Sequence, residues 1–141
     1  MGDSKTTKTW LGTKPYMSPE LFDGRPYDPA SCDIFAAGQI LYILYAGRFA
    51  FDEASLKNSY YNFLLQGKPD YFWRLHEKAF KQYPGFFTPS FKELLTRMIH
   101  PDPLKRAKLY RIEGEEVKED DYFIVESDWF KNTRKATLEE V

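Results

Sequence analysis

Side chains able to do chemistry are few in this sequence, and they stand apart. A cysteine-based metal site needs several thiolates at short spacing, but the one cysteine, Cys32, sits inside an apolar run. It reads as a small hydrophobe. His76 has no second histidine or cysteine near it, so it reads as a packed or surface side chain rather than a ligand. Carboxylates gather in residues 113–121, EGEEVKEDD, where six of them face a single lysine. Mutual repulsion and solvent make this run a solvated loop rather than an acid–base pair. There is no Gly-rich phosphate loop and no Ser/His/Asp set with a local signature. The opening Met1-Gly2-Asp3-Ser4-Lys5-Thr6 fits the loose Gly-x-x-x-Ser/Thr acylation template and is read as a chance match.

The elements that would position such groups are easier to see. The stretch from Pro29 to Gly47, PASCDIFAAGQILYILYAG, carries no polar stripe: between Ile34 and Ala46 only Gln39 and the hydroxyls of Tyr42 and Tyr45 are polar. A helix that is apolar all round must be buried on every side. Asp28 suits its N-cap, Pro29 its first turn and Gly47 the left-handed position after its end. Ala36, Ala37 and Gly38 allow neighbouring backbone to come close. The run is too short to span a membrane. A short helical turn fits near Ser18 to Phe22. A second helix is predicted from about Ser55 to Gln66, ended by Gly67, and a third over PDYFWRLHEKAF. The clearest amphipathic helix follows Thr88 as N-cap and Pro89, with Phe91, Leu94, Leu95, Met98 and Ile99 at helical spacing until Pro101 and Pro103 stop it. Phe49 and Phe51 are expected to be buried in the connector RFAFDEAS, and a last helical turn or two is expected around Ile124 to Lys131. With no strand pair, hairpin signal or repeat, the chain is predicted to be all-α, its helices packed round the central one.

Composition bounds the rest. A chain of 141 residues makes one domain, and 43% hydrophobic content with 18% aromatics supplies a core. Twenty basic and 21 acidic side chains leave a net charge of −1, against a nucleic-acid footprint. With no signal peptide and no span legible, a soluble cytoplasmic protein with no membrane partner is expected.

One stretch is more specific. Gly12-Thr13-Lys14-Pro15-Tyr16-Met17-Ser18-Pro19-Glu20 resembles the end of the activation loop of eukaryotic protein kinases, GT-x-x-Y-x-(A/S)PE. Further pieces follow in the family's order. Asp33-Ile34-Phe35-Ala36-Ala37-Gly38 resembles the motif opening the long buried helix of the large lobe. Phe49-Ala50-Phe51 resembles its x-P-F turn, with Ala50 where proline is common. Pro101-Asp102-Pro103-Leu104-Lys105-Arg106 resembles D-P-x-x-R, and Asp128-Trp129-Phe130 resembles the closing H-P-W-F. The gap between the last two is long, so an insertion is expected near 110–122. Phe72-Trp73 and Tyr60-Tyr61 resemble calcium/calmodulin-kinase-like enzymes.

The resemblance implies roles. Glu20 and Arg106 would form a buried salt bridge, and Asp33 would receive backbone N–H groups from the catalytic loop. Thr13, Tyr16 and Met17 would form the substrate platform of a serine/threonine kinase, and Thr9 would take the activating phosphate, with Gly38 and Trp129 structural. The implied division is activation-segment end over 1–20, helical subdomain over 21–131 and tail over 132–141. ATP and Mg²⁺ are implied for a complete kinase. The Gly-rich loop, the strand lysine and the H-R-D and D-F-G aspartates are not in this sequence, so no ATP site, catalytic residue or metal is expected in the chain alone. The implied partners are a protein substrate and a missing N-terminal part of the domain. The alternative is a non-catalytic, kinase-like docking module. On the resemblance, the central helix belongs to a larger lobe and its upper face would have nothing to touch here.

Overall fold

The structure is a computed structural model that describes residues 14–133. A 3-10 turn, Lys14–Tyr16, leads into α1 (Pro19–Phe22), followed by α2 (Pro29–Ala46), α3 (Ser59–Leu65), α4 (Pro69–Ala79) and α5 (Pro89–Met98). A second 3-10 turn, Ile124–Glu126, precedes helical residues 128–133, α6. Pairing of strand type among the described residues is limited to one isolated bridge, Lys108 to Phe123. The chain is all-α, as its periodicity predicts.

The helix ends follow local chemistry. Asp28 accepts from the Ala30 N–H and Pro29 opens α2, while Gly47, at φ 76°, donates back to the Ile43 carbonyl. Thr88 accepts from the Phe91 N–H ahead of Pro89. The start of α3 differs from the sequence reading: it begins at Ser59, not Ser55, because the Asn58 side chain caps it by accepting from the Tyr61 N–H. Asn58 satisfies a donor that Ser55 does not reach.

α2 meets α5 where Gly38 has no side chain. A Cβ built there would lie 2.7 Å from Ile99 Cγ2 and 3.0 Å from Met98 Cβ, so the two helices approach as closely as a glycine permits. On the same flank α2 buries Phe35 and Tyr42 among Phe72, Trp73, Phe87 and Phe91. Tyr45 stacks on Phe91 with centroids 3.7 Å apart and donates its hydroxyl to the Phe86 carbonyl at 2.6 Å. A smaller cluster, Leu94, Met98, Ala107 and Ile124, seals the far end.

The other flank of α2 corrects the expectation of burial on every side. Ile40 is 49% and Leu44 79% exposed, and Asp33 is exposed as well. Positions 33, 40 and 44 fall on one stripe of a helix. The helices present cover a single side of α2. Phe49 is also a correction: at 37% exposure it is half open, whereas Phe51 is buried.

Candidate functional site

The strongest polar arrangement joins the two ends of the described chain. Arg106 donates from both terminal nitrogens to the Glu20 carboxylate, at 2.7 and 2.9 Å, and the pair is almost completely buried. The remaining guanidinium donors are used too. Nε donates to the His100 carbonyl at 3.0 Å, and Nη1 also reaches the carbonyl and hydroxyl of Ser31, each at 3.2 Å. The guanidinium plane lies 5.1 Å over the Phe35 ring. Burial by itself would raise the Glu20 pKa. The hydrogen bonds and charge of Arg106 outweigh it and hold the carboxyl below the usual range. Arginine suits this position because its rigid fork matches a carboxylate and stays charged.

Cys32 lies against the same pair. It accepts from the Ser18 hydroxyl at 3.0 Å and its thiol donates to Glu20 Oε2 at 3.5 Å. Burial, and the nearby Glu20 carboxylate, push the thiol pKa up despite the Ser18 contact, which leaves Cys32 an inert buried thiol.

The residues expected to form a substrate platform are only partly in view. Thr9 and Thr13 lie outside the described residues. Tyr16 is half-buried and sets its ring edge-on to Phe49, 5.7 Å between centroids. Met17 is buried beside it. The structure sets Glu20 beside Cys32 near the start of α2, packs Tyr16 on Phe49, and leaves Asp33 on the exposed flank of the helix. Among the described residues no hydrogen bond or ion pair reaches the Asp33 carboxylate. Trp129 is half-buried and packs edge-on to Phe91 at 5.8 Å.

A second polar network was not legible in sequence. Gln39, fully buried, donates to the Phe51 carbonyl at 3.0 Å and accepts from the Ala50 N–H at 3.1 Å. His76, also fully buried, places Nε2 2.8 Å from the Ala50 carbonyl and Nδ1 2.6 Å from the Tyr42 hydroxyl. With Nε2 donating and Nδ1 accepting, every member is satisfied by a neutral imidazole. Burial drives the His76 pKa down to about 4, only partly offset by the bond to Ala50. The network pins the Phe49–Phe51 turn to α2 and α4. Ala50 takes part through an N–H that a proline would lack. Its partners are backbone groups and a tyrosine 34 residues away, so no local motif could announce it.

Among the described residues no three His, Cys, Asp or Glu side chains converge to hold a metal ion. Two hollows among the described residues are small. One of about 140 Å³ lies between Phe80 and Phe87, and one of about 250 Å³ between Lys68 and Arg74. Among the described residues no helix is long and apolar enough to cross a membrane.

Comparison with known proteins gives the family. The protein kinase domain family matches residues 1–123, and the chain belongs to that family. It is 32% identical over 138 residues to the serine/threonine-protein kinase SIK3 homolog of Danio rerio, covering 93% of this chain and 10% of that protein. CBL-interacting protein kinase 8 of Oryza sativa is 33% identical over 132 residues, 94% of this chain and 24% of that protein. The carbon catabolite-derepressing protein kinase of Candida tropicalis is 29% identical over 131 residues, 93% of this chain and 17% of that protein. The chain thus spans a quarter or less of the length of these relatives. No solved structure matches.

Proposed function

We propose that the chain is the C-terminal half of the large lobe of a serine/threonine protein kinase. It supplies the protein-substrate platform and the scaffold beneath it, and the parent enzyme transfers the ATP γ-phosphate to a protein hydroxyl in the cytoplasm. The observation that carries this reading is the uncovered flank of α2, where Ile40 and Leu44 stand in solvent on the stripe that also holds Asp33. An apolar helix in a lone domain would have no reason to present that stripe to water. A preceding part of the domain would cover Ile40 and Leu44 and bring backbone donors to Asp33.

On this reading Thr13, Tyr16 and Met17 hold the substrate segment, and Thr9 is the phosphorylation site. A phosphate on Thr9 adds roughly −1.5 to −2 charges and orders the segment against cations. ATP and Mg²⁺ are held by the missing part. Titration of the isolated chain with Mg-ATP tests the division of labour: no saturable heat is expected, and saturable binding would overturn it. Reading the coding sequence upstream of Met1 tests the parentage. In-frame H-R-D and D-F-G motifs are expected. An upstream frame without them would leave the non-catalytic docking module in its place.

A further inference from the structure

Residues 108–125 leave the helical body and return to it, and they are strapped at the base rather than loose. The Lys108 N–H donates to the Tyr122 carbonyl and the Ile124 N–H to the Lys108 carbonyl, both at 2.8 Å, and the Val125 N–H reaches the Leu109 carbonyl at 3.1 Å. Lys108 Nζ pairs with Asp121 Oδ1 at 3.0 Å, while Asp121 Oδ2 accepts from the Lys118 N–H at 2.8 Å. Arg111 donates to Glu126 from Nε and Nη2 and lies 4.7 Å over the Phe123 ring. Arg97 donates to the Asp120 carbonyl and sits over Tyr122. Every basic side chain of the excursion except Lys118 is thereby turned back onto its base.

What faces outward is apolar and acidic. Leu109 is 50%, Tyr110 and Ile112 56% and Val117 47% exposed. Glu113, Glu115, Glu116, Glu119 and Asp120 are exposed among them, and no ion pair reaches these five carboxylates within the described residues. A solvated loop has no need of four large apolar side chains, and a core-forming one would bury them. Strapping also removes much of the ordering cost that a flexible loop would meet on binding.

We propose that this excursion is a docking surface for a segment of another protein in which lysine or arginine alternates with large apolar side chains. The charge decides the occupant. Five uncompensated carboxylates repel nucleic acid, acidic lipid headgroups and acidic peptides, and attract a cationic segment whose apolar residues can cover Tyr110, Ile112 and Val117. The surface lies outside the substrate platform and does not depend on catalysis by the parent enzyme.

The test uses the full chain and two fluorescent synthetic peptides, one alternating arginine with leucine and tryptophan, the other the same with serine in place of the apolar residues. Anisotropy titration is expected to give affinity for the first about tenfold tighter than for the second, from partial burial of two or three side chains. Both affinities should fall as salt rises. Ile112→Ser with Val117→Ser, and separately Glu115→Lys with Glu116→Lys, are each expected to weaken the first peptide about fivefold or more. All four positions are exposed, so circular dichroism melts should be unchanged. On the unaltered chain, amide shift changes are expected to centre on residues 109–120. The proposal is overturned by no binding, by equal binding of the two peptides, by either variant binding as the parent does, or by shift changes centred elsewhere. A concentration-dependent dimer that the Ile112/Val117 variant abolishes would assign the face to a second copy and overturn it as well.

Discussion

Two arginine–glutamate pairs in this molecule are both two-pronged, Arg106 end-on through Nη1 and Nη2 and Arg111 side-on through Nε and Nη2, and they differ in their surroundings. Arg106 meets Glu20 at 2.7 and 2.9 Å, and Arg111 meets Glu126 at 2.6 and 3.0 Å, both as two-pronged forks. The first bridges 86 residues and is buried to within 2% of full enclosure. The second bridges 15 residues, with side chains 54% and 40% exposed. Distance alone would rank them equal. Water separates them, because it compensates an exposed charge that loses its partner and cannot reach a buried one.

The largest expected effect follows from that. Arg106→Ala leaves the Glu20 carboxylate buried without its partner and is expected to cost about 3–5 kcal/mol in urea unfolding. Replacing both residues by methionine is expected to recover most of the loss, since an apolar pair of similar volume needs no compensation. A double variant no more stable than Arg106→Ala would break the comparison.

Acid separates buried groups further. His76 is held neutral, with its pKa pulled from 6.5 to about 4, so between those values the unfolded chain binds a proton that the folded chain refuses. Stability is therefore present above pH 6.5 and falls as pH drops towards 4. At about 1.4 kcal/mol per pH unit this amounts to about 3 kcal/mol. Glu20 behaves in the opposite chemical sense with the same direction. Its lowered carboxyl pKa gives stability above the ordinary carboxylate range, lost only as pH falls further, through its folded value. Denaturant titrations from pH 7 to 4 should show the first loss, and His76→Gln should flatten it.

Gly38→Ala probes close packing without charge. The added methyl would press on Ile99 and Met98 across the α2–α5 seam, at an expected cost of about 1–3 kcal/mol, read from the thermal midpoint. Smallest of all is Arg111→Ala, with a slight expected loss of stability that shrinks with added salt. A cost near that of Arg106→Ala would show that exposure does not set the worth of these pairs.

The features legible in sequence were those decided by neighbours along the chain. Asp28 with Pro29, Gly47, and Thr88 with Pro89 marked helix ends because capping is a local exchange of hydrogen bonds. Gly38 marked a close approach for the same local reason, the lack of a side chain. Motif order, which is also linear, led from Gly12 to Trp129 and to the family. What sequence could not carry was which side of an apolar helix finds partners. Ile40 and Phe35 look alike as letters, yet one is half in water and the other fully buried. Nor could it show that His76 closes on Tyr42 and Ala50, or that Lys108 and Arg111 strap the acidic run, since those partners meet only after folding.

The uncovered flank of α2 carries the proposal that this chain is part of a larger lobe, and its methyl groups can report on it directly. Solvent paramagnetic relaxation of the Ile40 and Leu44 methyls should be measured in this chain and in one extended upstream in its reading frame. Strong relaxation in the first and protection of both methyls in the second are the expected result. Methyls equally open to solvent in the longer chain would contradict the placement of α2 at the centre of a kinase lobe.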